Sequence, residues 1–570
     1  MSHESSPEPF DEFPVDPSAD QGRRVSADHL DPWTNPLATY VLEPDDLRTL
    51  LARIVTSPGA ATQTTHTPFT GGPLAAVPLS APADVARAAR LARAAQRAWA
   101  RSPLRERAAV LLRFHDLVLG RQSDVLDLIQ LESGKSRLGA FEEVADVAMM
   151  ARHYALRAGT YLAPRRAAGL LPILTSARVL RHPVGLVGVI SPWNYPLTLA
   201  IGDVLPALMA GTAVVLKPDT QTVLTALWGV EQLEDAGLPA GLVQVVVGDG
   251  PQIGGAVVDN VDHVCFTGST ATGRTVAARA GERLISASME LGGKNAMYVA
   301  DDVDVETVAE GAVRACFSST GALCVSVERL YLHEDIAEGF LAAFVRRVRA
   351  LTLGAGLDYR ADVGSLTSAA QLAQVTEHVE DALAHGARVL AGGVPRPDLG
   401  PLFYEPTILD AVPTEARVHG EETFGPVVSV YRVASDDEAV AAMNDSDFGL
   451  NASVWTRDIA RGRRIAARVE AGTVNVNEGY AAAWGSSGAP QGGVKASGIG
   501  HRHGPEGLWA TTRIQTVAVQ RGVHGIPALR AVVGGNPTGV GLGRLYGLTG
   551  EQFTATFTAV LRAFKALRRP

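Results

Sequence analysis

Residues 185–220 read GLVGVISPWNYPLTLAIGDVLPALMAGTAVVLKPDT. This stretch opens a series of four short apolar runs, which are Leu186–Ile190, Ala213–Leu216, Val243–Val247 and His263–Phe266. Between the runs lie stretches with helical spacing, which are Leu197–Met209, Thr222–Ala236 and Gln252–Val258. Apolar runs that alternate with helices predict an α/β fold whose parallel sheet is covered by helices on both faces.

Polar and glycine-rich segments follow the predicted strands. A sheet of this kind binds ligands at the carboxyl ends of its strands, so these segments are candidate binding loops. After the last strand, Gly268, Ser269 and Gly273 belong to a turn that opens a helix. Backbone amides at a helix N-terminus favour a phosphate, although a plain strand-to-helix turn has the same composition.

Two earlier strand ends add polar side chains. Asn194 lies between Pro192 and Pro196, which favours an immobile donor over a solvated loop residue. A merely rigid turn is the alternative interpretation. Lys217 ends the next strand, where its amine is placed for a ribose hydroxyl or a phosphate.

Cys324 and Glu290 are a candidate nucleophile and base. Cys324 follows a turn of small residues, and Glu290 precedes the pair Gly292-Gly293. Attack of sulfur on a carbonyl forms a covalent intermediate, which a carboxylate that activates water can hydrolyse. Taken alone, Cys324 is equally interpreted as a buried core cysteine and Glu290 as a helix-capping acid.

Composition restricts the class of protein. The 570 residues are 46% hydrophobic and 19% charged, as in a globular chain of two to four domains. The net charge of −9 disfavours nucleic acid as a partner, because phosphate backbones are bound by clustered lysine and arginine.

The cysteines and the N-terminus indicate a cytoplasmic protein. The chain has three cysteines, too few for a disulfide framework, and none forms a Cys-x-x-Cys pair of the kind that holds a metal. The N-terminus is acidic where a secretory signal would be basic and then apolar. The least charged long run, Val184–Leu216, contains three prolines and is a poor membrane span.

The two ends carry opposite charge. Residues 1–50 hold eleven acidic residues against three arginines, a net charge of −8, and the first thirty or so are predicted to form a mobile tail. Residues 521–570 hold seven basic residues against one acid, a net charge of +6. There Phe553–Leu567 has helical spacing, which suits an assembly helix, a solvated tail, or docking on an anionic membrane or on the acidic tail.

Seven motifs occur in an order and spacing that resemble the NAD(P)-dependent aldehyde dehydrogenase superfamily. They are Pro192-Trp193-Asn194-Tyr195-Pro196, Lys217-Pro218, Phe266-Thr267-Gly268-Ser269, Glu290-Leu291-Gly292-Gly293-Lys294, Gly321-x-x-Cys324, Glu422-x-Phe424-Gly425-Pro426 and Gly492-Gly493-x-Lys495-x-Ser497-Gly498. The resemblance covers roughly residues 55 to 520. Within the superfamily, the segments around Cys324 and Tyr480 are most similar to the bacterial type 2 NADP-dependent succinate-semialdehyde dehydrogenases.

The resemblance implies a set of roles. Cys324 is similar to the nucleophile, Glu290 to the base that hydrolyses the thioester, and Asn194 with the Cys324 amide to the oxyanion hole. Glu422 corresponds to the acid that holds the nicotinamide ribose, and Phe424 lies beside the ring. The other implied cofactor contacts are Lys217 at the adenosine ribose, Gly268 and Ser269 at the pyrophosphate, and also Trp193, Thr220, Gly273 and Leu291. Thr220 replaces a glutamate common in NAD-preferring relatives, which permits NADP but does not require it. The resemblance implies NADP as the cofactor, with NAD possible.

The resemblance also implies the reaction and limits the substrate. An aldehyde is expected to become a free acid, with succinate semialdehyde the best candidate. Better-known succinate-semialdehyde enzymes clamp the substrate carboxylate with two arginines, yet Ser318 and Gly202 stand at those positions here. Alternatives are a broad dehydrogenase for aromatic or aliphatic aldehydes, a CoA-acylating enzyme and a non-catalytic protein on the same fold.

The implied architecture is an aldehyde dehydrogenase-like fold with a Rossmann-like cofactor domain, an α/β catalytic domain and a small β oligomerisation arm. The cofactor domain is expected at residues 51–157 and 183–291, with a return at 491–507. The catalytic domain is expected at 292–490, and the arm at 158–182 and 508–520. Residues 1–50 and 521–570 are extensions. By the same resemblance, the arm joins subunits in a homodimer or homotetramer.

Overall fold

The structure is a computed structural model that describes residues 41–168 and 175–520, with four isolated positions nearer the carboxyl terminus. The acidic segment that was predicted to form a mobile tail and most of the predicted helix Phe553–Leu567 lie outside the described residues. None of the described helices combines the length and the apolar character needed to cross a bilayer.

The described elements alternate between helices and strands along most of the chain. The helices are α1 (Pro44–Leu51), α2 (Pro82–Trp99), α3 (Leu104–Gly120), α4 (Gln122–Ser133), α5 (Arg137–Tyr161), α6 (Pro196–Ile201), α7 (Val204–Ala210), α8 (Val223–Asp235), α9 (Gly255–Asn260), α10 (Thr270–Glu282), α11 (Val305–Phe317), α12 (Ala337–Arg349), α13 (Ala369–Ala384), α14 (Arg417–Gly420), α15 (Asp436–Asn444), α16 (Ile459–Ala466), α17 (Ala481–Trp484) and α18 (Gly504–Ala510). The strands are β1 (Thr62–His66), β2 (Pro73–Pro78), β3 (Arg165–Ala168), β4 (Thr175–Pro183), β5 (Leu186–Ile190), β6 (Ala213–Lys217), β7 (Val243–Val245), β8 (His263–Thr267), β9 (Ser286–Glu290), β10 (Asn295–Val299), β11 (Val327–His333), β12 (Arg388–Ala391), β13 (Thr407–Asp410), β14 (Val427–Val433), β15 (Phe448–Gly449), β16 (Asn451–Trp455), β17 (Thr473–Val476), β18 (Val494–Lys495), β19 (Gly498–Ile499) and β20 (Thr512–Gln520).

The first sheet contains the four predicted strands. Its order is β19-β9-β8-β5-β6-β7, and every pair is parallel except β19 with β9. All residues of β5, β6 and β8 are buried, because helices cover both faces of the sheet. At Gly188 a Cβ would lie 2.7 Å from Val257, so glycine lets α9 pack closely on the central strand. The predicted strands and the α/β class are confirmed.

The single helix predicted over Leu197–Met209 was wrong. The chain forms α6 and α7 instead, with a break at Gly202 and Asp203. Pro206 explains the break, since in one continuous helix it would lie in the interior without an N–H to donate. Because α7 restarts at Val204, Pro206 falls in its first turn, where no donor is needed.

The second sheet has the order β12-β13-β14-β11-β10-β16-β17, and only β12 with β13 is antiparallel. One apolar cluster packs α11 and α12 against this sheet, and another packs α15 and α16. The short segment between β9 and β10, Leu291–Lys294, passes from the first sheet to the second. The ends of both sheets therefore meet around Glu290 and the residues that follow it.

A third, antiparallel sheet of order β20-β4-β3 occupies the region predicted as the arm. Apolar side chains of β20 are solvent-exposed here, with Ile514 at 63% and Val519 at 44% of their maximum exposure. An apolar strand of this kind suits contact with another surface.

Candidate active site

A cleft of about 240 Å³ opens where the two large sheets meet. Its walls are formed by Pro192, Trp193, Asn194, Thr267, Gly268, Ser269, Leu291, Gly292, Cys324, Gln371, Gln374, Glu422 and Phe424. The fold thus brings together eight of the twelve residues that the sequence singled out, from five separate segments of the chain. The other four, Glu290, Lys217, Thr220 and Gly273, do not line this cleft.

Cys324 is held at the cleft by a strained turn. After α11, Ser319, Thr320 and Gly321 adopt left-handed backbone angles in succession, with φ of 50°, 59° and 69°. A Cβ at Gly321 would lie 2.1 Å from the backbone oxygen of Gly425, so only glycine lets these two loops touch. Such strain persists where surrounding structure enforces it, which is common at reactive sites.

The Cys324 thiol is protonated at neutral pH in this environment. Burial raises the pKa of Cys324 to about 12, and the nearby carboxylates of Glu422 and Glu290 act in the same direction. The guanidinium of Arg502 opposes them. Reaction of Cys324 as a nucleophile therefore requires a group that removes its proton or stabilises the thiolate.

Asn194 is buried and rigidly held. Its Nδ2 donates to the backbone oxygen of Ala322 at 3.0 Å, and its own backbone oxygen accepts from Lys135 Nζ at 2.6 Å. Lys135 also pairs with Glu143 at 2.7 Å, and Glu143 accepts from the Leu197 N–H at the start of α6. The loop is therefore rigid, and its side chain reaches the same cleft as Cys324.

Glu290 ends β9 but faces a second, smaller cavity. This cavity of about 10 Å³ is bordered by Asp203, Cys265, Ser288 and Arg502. Oε1 of Glu290 has no hydrogen-bond partner among the described residues. Burial raises the pKa of Glu290 to about 8, with Arg502 lowering it and Asp203 raising it. Glu290 is therefore a strand residue and not a helix cap.

Glu422 and Phe424 form the opposite wall of the cleft. Oε1 of Glu422 accepts from the backbone N–H of Gly293 at 2.7 Å, and a Cβ at Gly292 would lie 2.5 Å from its Oε2. Burial raises the pKa of Glu422 to about 8. Phe424 has a φ of 55°, and its ring meets Trp193 edge to face at 5.6 Å.

A family profile described as "Aldehyde dehydrogenase family" matches residues 55–517. The chain belongs to the aldehyde dehydrogenase family. A protein of Mycobacterium tuberculosis named "Putative succinate-semialdehyde dehydrogenase (NADP(+)) 2" is 52% identical over 489 residues, which cover 85% of this chain and 94% of that protein.

Solved structures of the family share the fold. A succinate-semialdehyde dehydrogenase from Burkholderia pseudomallei superposes with a TM-score of 0.78 at 35% identity, covering 82% of this chain and 96% of that one. An aldehyde dehydrogenase from Bacillus cereus, solved as its NAD+ complex, gives a TM-score of 0.79 at 31% identity, covering 83% and 98%. The chain is therefore an oxidoreductase of the aldehyde dehydrogenase fold.

Three further residues expected from the family resemblance, Lys217, Thr220 and Gly273, lie outside the cleft lining. Lys217 ends β6 with its Nζ 3.3 Å from the Pro218 oxygen, and burial lowers its pKa while Asp219 and Asp249 raise it. Thr220 begins the short 3₁₀ turn that follows. Gly273 lies in α10 where a Cβ would be 2.3 Å from Leu291, so it permits close packing of this helix on the cleft wall.

The residues around the cleft fit a nicotinamide dinucleotide. Ser269 caps the N-terminus of α10 by accepting from the Thr272 N–H, so the positive end of the helix dipole lies at the cleft wall. Glu422 lines the cleft, and its Oε2, which lies beside Gly292, accepts no hydrogen bond from the described residues and can therefore accept one from a hydroxyl.

Cys324 also packs against a cluster with aromatic members that do not line the cleft. The cluster contains Tyr195, Leu199, Leu323, Val325, Leu450 and Tyr480, with Ala481 and Trp484 against it. At its edge Glu142 accepts hydrogen bonds from Tyr195 and Tyr480 and forms a 3.5 Å ion pair with Arg314. Arg314 lies 5.7 Å from the Tyr480 ring and is the guanidinium that the described structure places beside this cluster.

Sequence reasoning missed several buried polar residues that support the site. Asn295 donates to the backbone oxygen of Cys324 at 2.7 Å, and Glu328 accepts from the N–H groups of Thr423 and Phe424. Glu328 also pairs with Lys294. Lys294 is the last residue of the motif that begins at Glu290, although the motif gave it no role, and Glu328 is a charged residue in an apolar strand.

Proposed function

We propose that this protein oxidises an aldehyde to the free carboxylic acid with NADP+, NAD+ being possible, and that succinate semialdehyde is its substrate. The observation that carries the proposal is the presence of Asn194 and Cys324 in one cleft with Glu422, Phe424 and Ser269. The name of the mycobacterial relative supports both the substrate and the cofactor.

The reaction begins at sulfur. The Cys324 thiol first loses its proton to water, with the Arg502 guanidinium favouring the thiolate. The thiolate then adds to the aldehyde carbon, and the carbonyl oxygen becomes the oxyanion of the thiohemiacetal. Asn194 Nδ2 carries two hydrogens, and one of them is donated to Ala322, so the other is available for this oxygen together with the Cys324 backbone N–H. One donor of this kind lowers the barrier by about 3–4 kcal/mol.

The thiohemiacetal must then lose a hydride and the resulting thioester must be hydrolysed. When bound, the oxidised nicotinamide accepts the hydride. Glu290 then takes a proton from water, the water oxygen attacks the thioester carbonyl, and the carbon–sulfur bond breaks to release the acid. Glu290 does not line the cleft with its present side-chain rotamer, so this step requires a rotation from the smaller cavity.

The cofactor contacts proposed for this chain follow from the cleft. Glu422 accepts from the nicotinamide ribose, Phe424 and Trp193 border the ring, and Leu291 lines the floor. The pyrophosphate is assigned to Gly268 and Ser269 at the start of α10, and the adenosine ribose to Lys217 and Thr220 with Gly273 permitting the approach of the helix. Thr220 adds no carboxylate near Lys217, which leaves room for a 2′-phosphate.

The substrate carboxylate needs a cation. Arg314 is the candidate, because it lies at the edge of the cluster that Cys324 contacts. In the structure Arg314 is paired with Glu142, so a carboxylate substrate must compete for it. The aromatic walls of Tyr480 and Trp484 favour a second candidate function, the oxidation of aromatic or medium-chain aldehydes.

We also propose how the protein assembles and where it is located. The exposed apolar strand β20 supports the arm as the contact that joins subunits into a homodimer or homotetramer. The protein is proposed to be cytoplasmic and to have the domain limits that the sequence predicts.

A panel of aldehydes tests the function. We expect succinate semialdehyde to give the highest kcat/KM with NADP+, and an acid product without added coenzyme A. Arg314→Gln should raise KM for succinate semialdehyde and leave hexanal unaffected. A higher kcat/KM for benzaldehyde or hexanal would favour the second candidate, and no reduction of either cofactor with any aldehyde would contradict both.

A further inference from the structure

Arg502 is a largely buried cation on a loop that follows β19. Its backbone is fixed by two hydrogen bonds to Gln491, of 2.9 and 2.8 Å. Its Nη2 donates to Asp203 at 2.9 Å and to the Thr267 hydroxyl at 2.7 Å. Its Nε has no partner among the described residues. Arginine stays charged at every accessible pH, so this cation is permanent.

Glu290 shares the small cavity with Arg502. Thr267, which binds the guanidinium, is the residue directly opposite Glu290 in the pairing of β8 with β9. The cavity thus contains an acceptor without a partner, Glu290 Oε1, and its wall contains a donor without a partner, Arg502 Nε. Buried polar atoms are rarely left in this state, so complementary groups in one cavity indicate a functional relationship.

Several charged or titratable side chains share the cavity with Glu290. Arg502 lies on the loop after β19, Asp203 precedes α7, and His501 borders the same cavity. The thiols of Cys265 and Cys324 also interact with Glu290 and are neutral in their usual state, since burial raises both pKa values. Arg502 and Asp203 are therefore the two full charges that act on Glu290, and they have opposite signs.

We propose that Arg502 and Asp203 are positioning residues that set, by their opposite charges, the pH at which Glu290 is ionised and able to take a proton from water. This inference rests on the proposed function, in which Glu290 hydrolyses the acyl-enzyme. Arg502 cannot itself accept the proton, because its guanidinium is already fully protonated. Its contribution is to stabilise the Glu290 carboxylate, and Asp203 limits that effect.

The test uses hydrolysis of 4-nitrophenyl acetate by the full chain without cofactor. Cys324 attacks the ester, nitrophenolate leaves, and the acetyl group remains on sulfur; water then releases acetate with Glu290 taking the proton. The burst of nitrophenolate counts reactive Cys324, and the slow phase follows deacylation. The midpoint of the acidic limb of the slow phase reports ionisation of Glu290.

The variants have opposite expected effects. Arg502→Gln should move the midpoint up by about one pH unit or more, because Asp203 is left unopposed. Asp203→Asn should move it down by about one unit. Arg502→Lys keeps the charge and should leave it within about half a unit of the wild type. A defect that is only structural would lower the burst amplitude and leave the midpoint unchanged.

Two results would overturn the inference. One is a wild-type midpoint in both Arg502→Gln and Asp203→Asn, and the other is a shift of both in the same direction. If Arg502→Gln shows no burst because it does not fold, Asp203→Asn decides alone. Glu290→Gln distinguishes failure of this inference from failure of the proposed function. If its slow phase has the same rate as that of the wild type, Glu290 is not the base, and the proposed function fails at thioester hydrolysis.

Discussion

The hydroxyl of Tyr195 lies 2.8 Å from the hydroxyl of Ser319, so a hydrogen bond joins the Asn194 loop to the turn that precedes Cys324. Lys135 reinforces this junction, with its Nζ 3.6 Å from the centre of the Tyr195 ring and 2.6 Å from the Asn194 oxygen. The proposed oxyanion donor and the proposed nucleophile are thus fixed to one another by side chains outside the cleft.

Replacement of Cys324 tests the covalent mechanism. Cys324→Ala should abolish formation of NADPH with every aldehyde, because no nucleophile remains at the turn. Cys316→Ala is the matched control, since Cys316 is buried against the second sheet and away from the cleft. Absorbance at 340 nm measures the result, and wild-type turnover by Cys324→Ala would exclude a thiohemiacetal.

Glu290→Gln should separate the two halves of the reaction. The acyl-enzyme forms but is not hydrolysed, so each active site yields at most one reduced cofactor. Rapid-mixing kinetics should show a burst and then a slow steady rate, and mass spectrometry should detect the acyl group on Cys324. Repeated turnover at the wild-type rate would mean that another group activates the water.

Lys135→Met should lower both stability and kcat. Breaking a buried ion pair leaves Glu143 without its cation and costs about 3–5 kcal/mol. The Asn194 loop also loses the hydrogen bond from Lys135 to the Asn194 backbone oxygen, so kcat should fall while KM changes less. Chemical denaturation and steady-state kinetics measure these effects. Arg346→Ala breaks an exposed ion pair with Glu306 and should change stability by about 1 kcal/mol or less.

Gly321→Ala should displace Cys324. The new Cβ would meet the Gly425 oxygen at 2.1 Å in a left-handed backbone, so the turn must move. A misplacement of about 1 Å lowers the rate about 100-fold. In Gly339→Ala, by contrast, the Cβ meets nothing within 4 Å in helix α12, and a stabilisation of about 0.5–1 kcal/mol is expected. Equal activity of the two variants would contradict the role of the turn.

Asp146 should make stability depend on pH. Burial raises the pKa of Asp146 from 3.8 to about 7, opposed by the Thr198 hydroxyl and Arg502. Because the pKa of Asp146 is higher in the folded than in the unfolded state, its protonation stabilises the folded protein. This contribution is complete below pH 3.8 and is lost as the pH rises from 3.8 to about 7. Between pH 5 and pH 8, Asp146→Asn should lose less unfolding free energy than the wild type. Asp437→Asn, at an exposed carboxylate whose partner Arg468 keeps its charge, should lose as much as the wild type. Identical losses in all three would contradict the assignment.

Much of the fold was predictable from local pattern. The runs Leu186–Ile190, Ala213–Leu216 and His263–Phe266 form strands as expected, because a strand buried on both faces must be apolar throughout. The division of Leu197–Met209 was missed because the consequence of Pro206 depends on where the helix restarts. Helical spacing alone does not fix that position.

The candidate site likewise contains residues that the sequence predicted and residues that it did not. The order of the motifs predicted that Asn194 and Cys324 belong to one site, and the structure places both in one cleft. It places Glu290 in a neighbouring cavity, a difference of side-chain direction that no spacing encodes. Lys135 and Arg502 were missed because a lysine or arginine in a sequence is normally a solvated residue, and only tertiary packing buries it.

By itself the sequence determined the α/β class, the family and the chemical types available for the reaction, because these follow from apolar periodicity and from residue identity. Only the tertiary structure decided which charged side chains are buried beside Glu290 and Asn194. It also decided which aromatic side chains pack near Cys324. Electrostatic effects and packing depend on distances between residues far apart in the chain, and those distances exist only after folding.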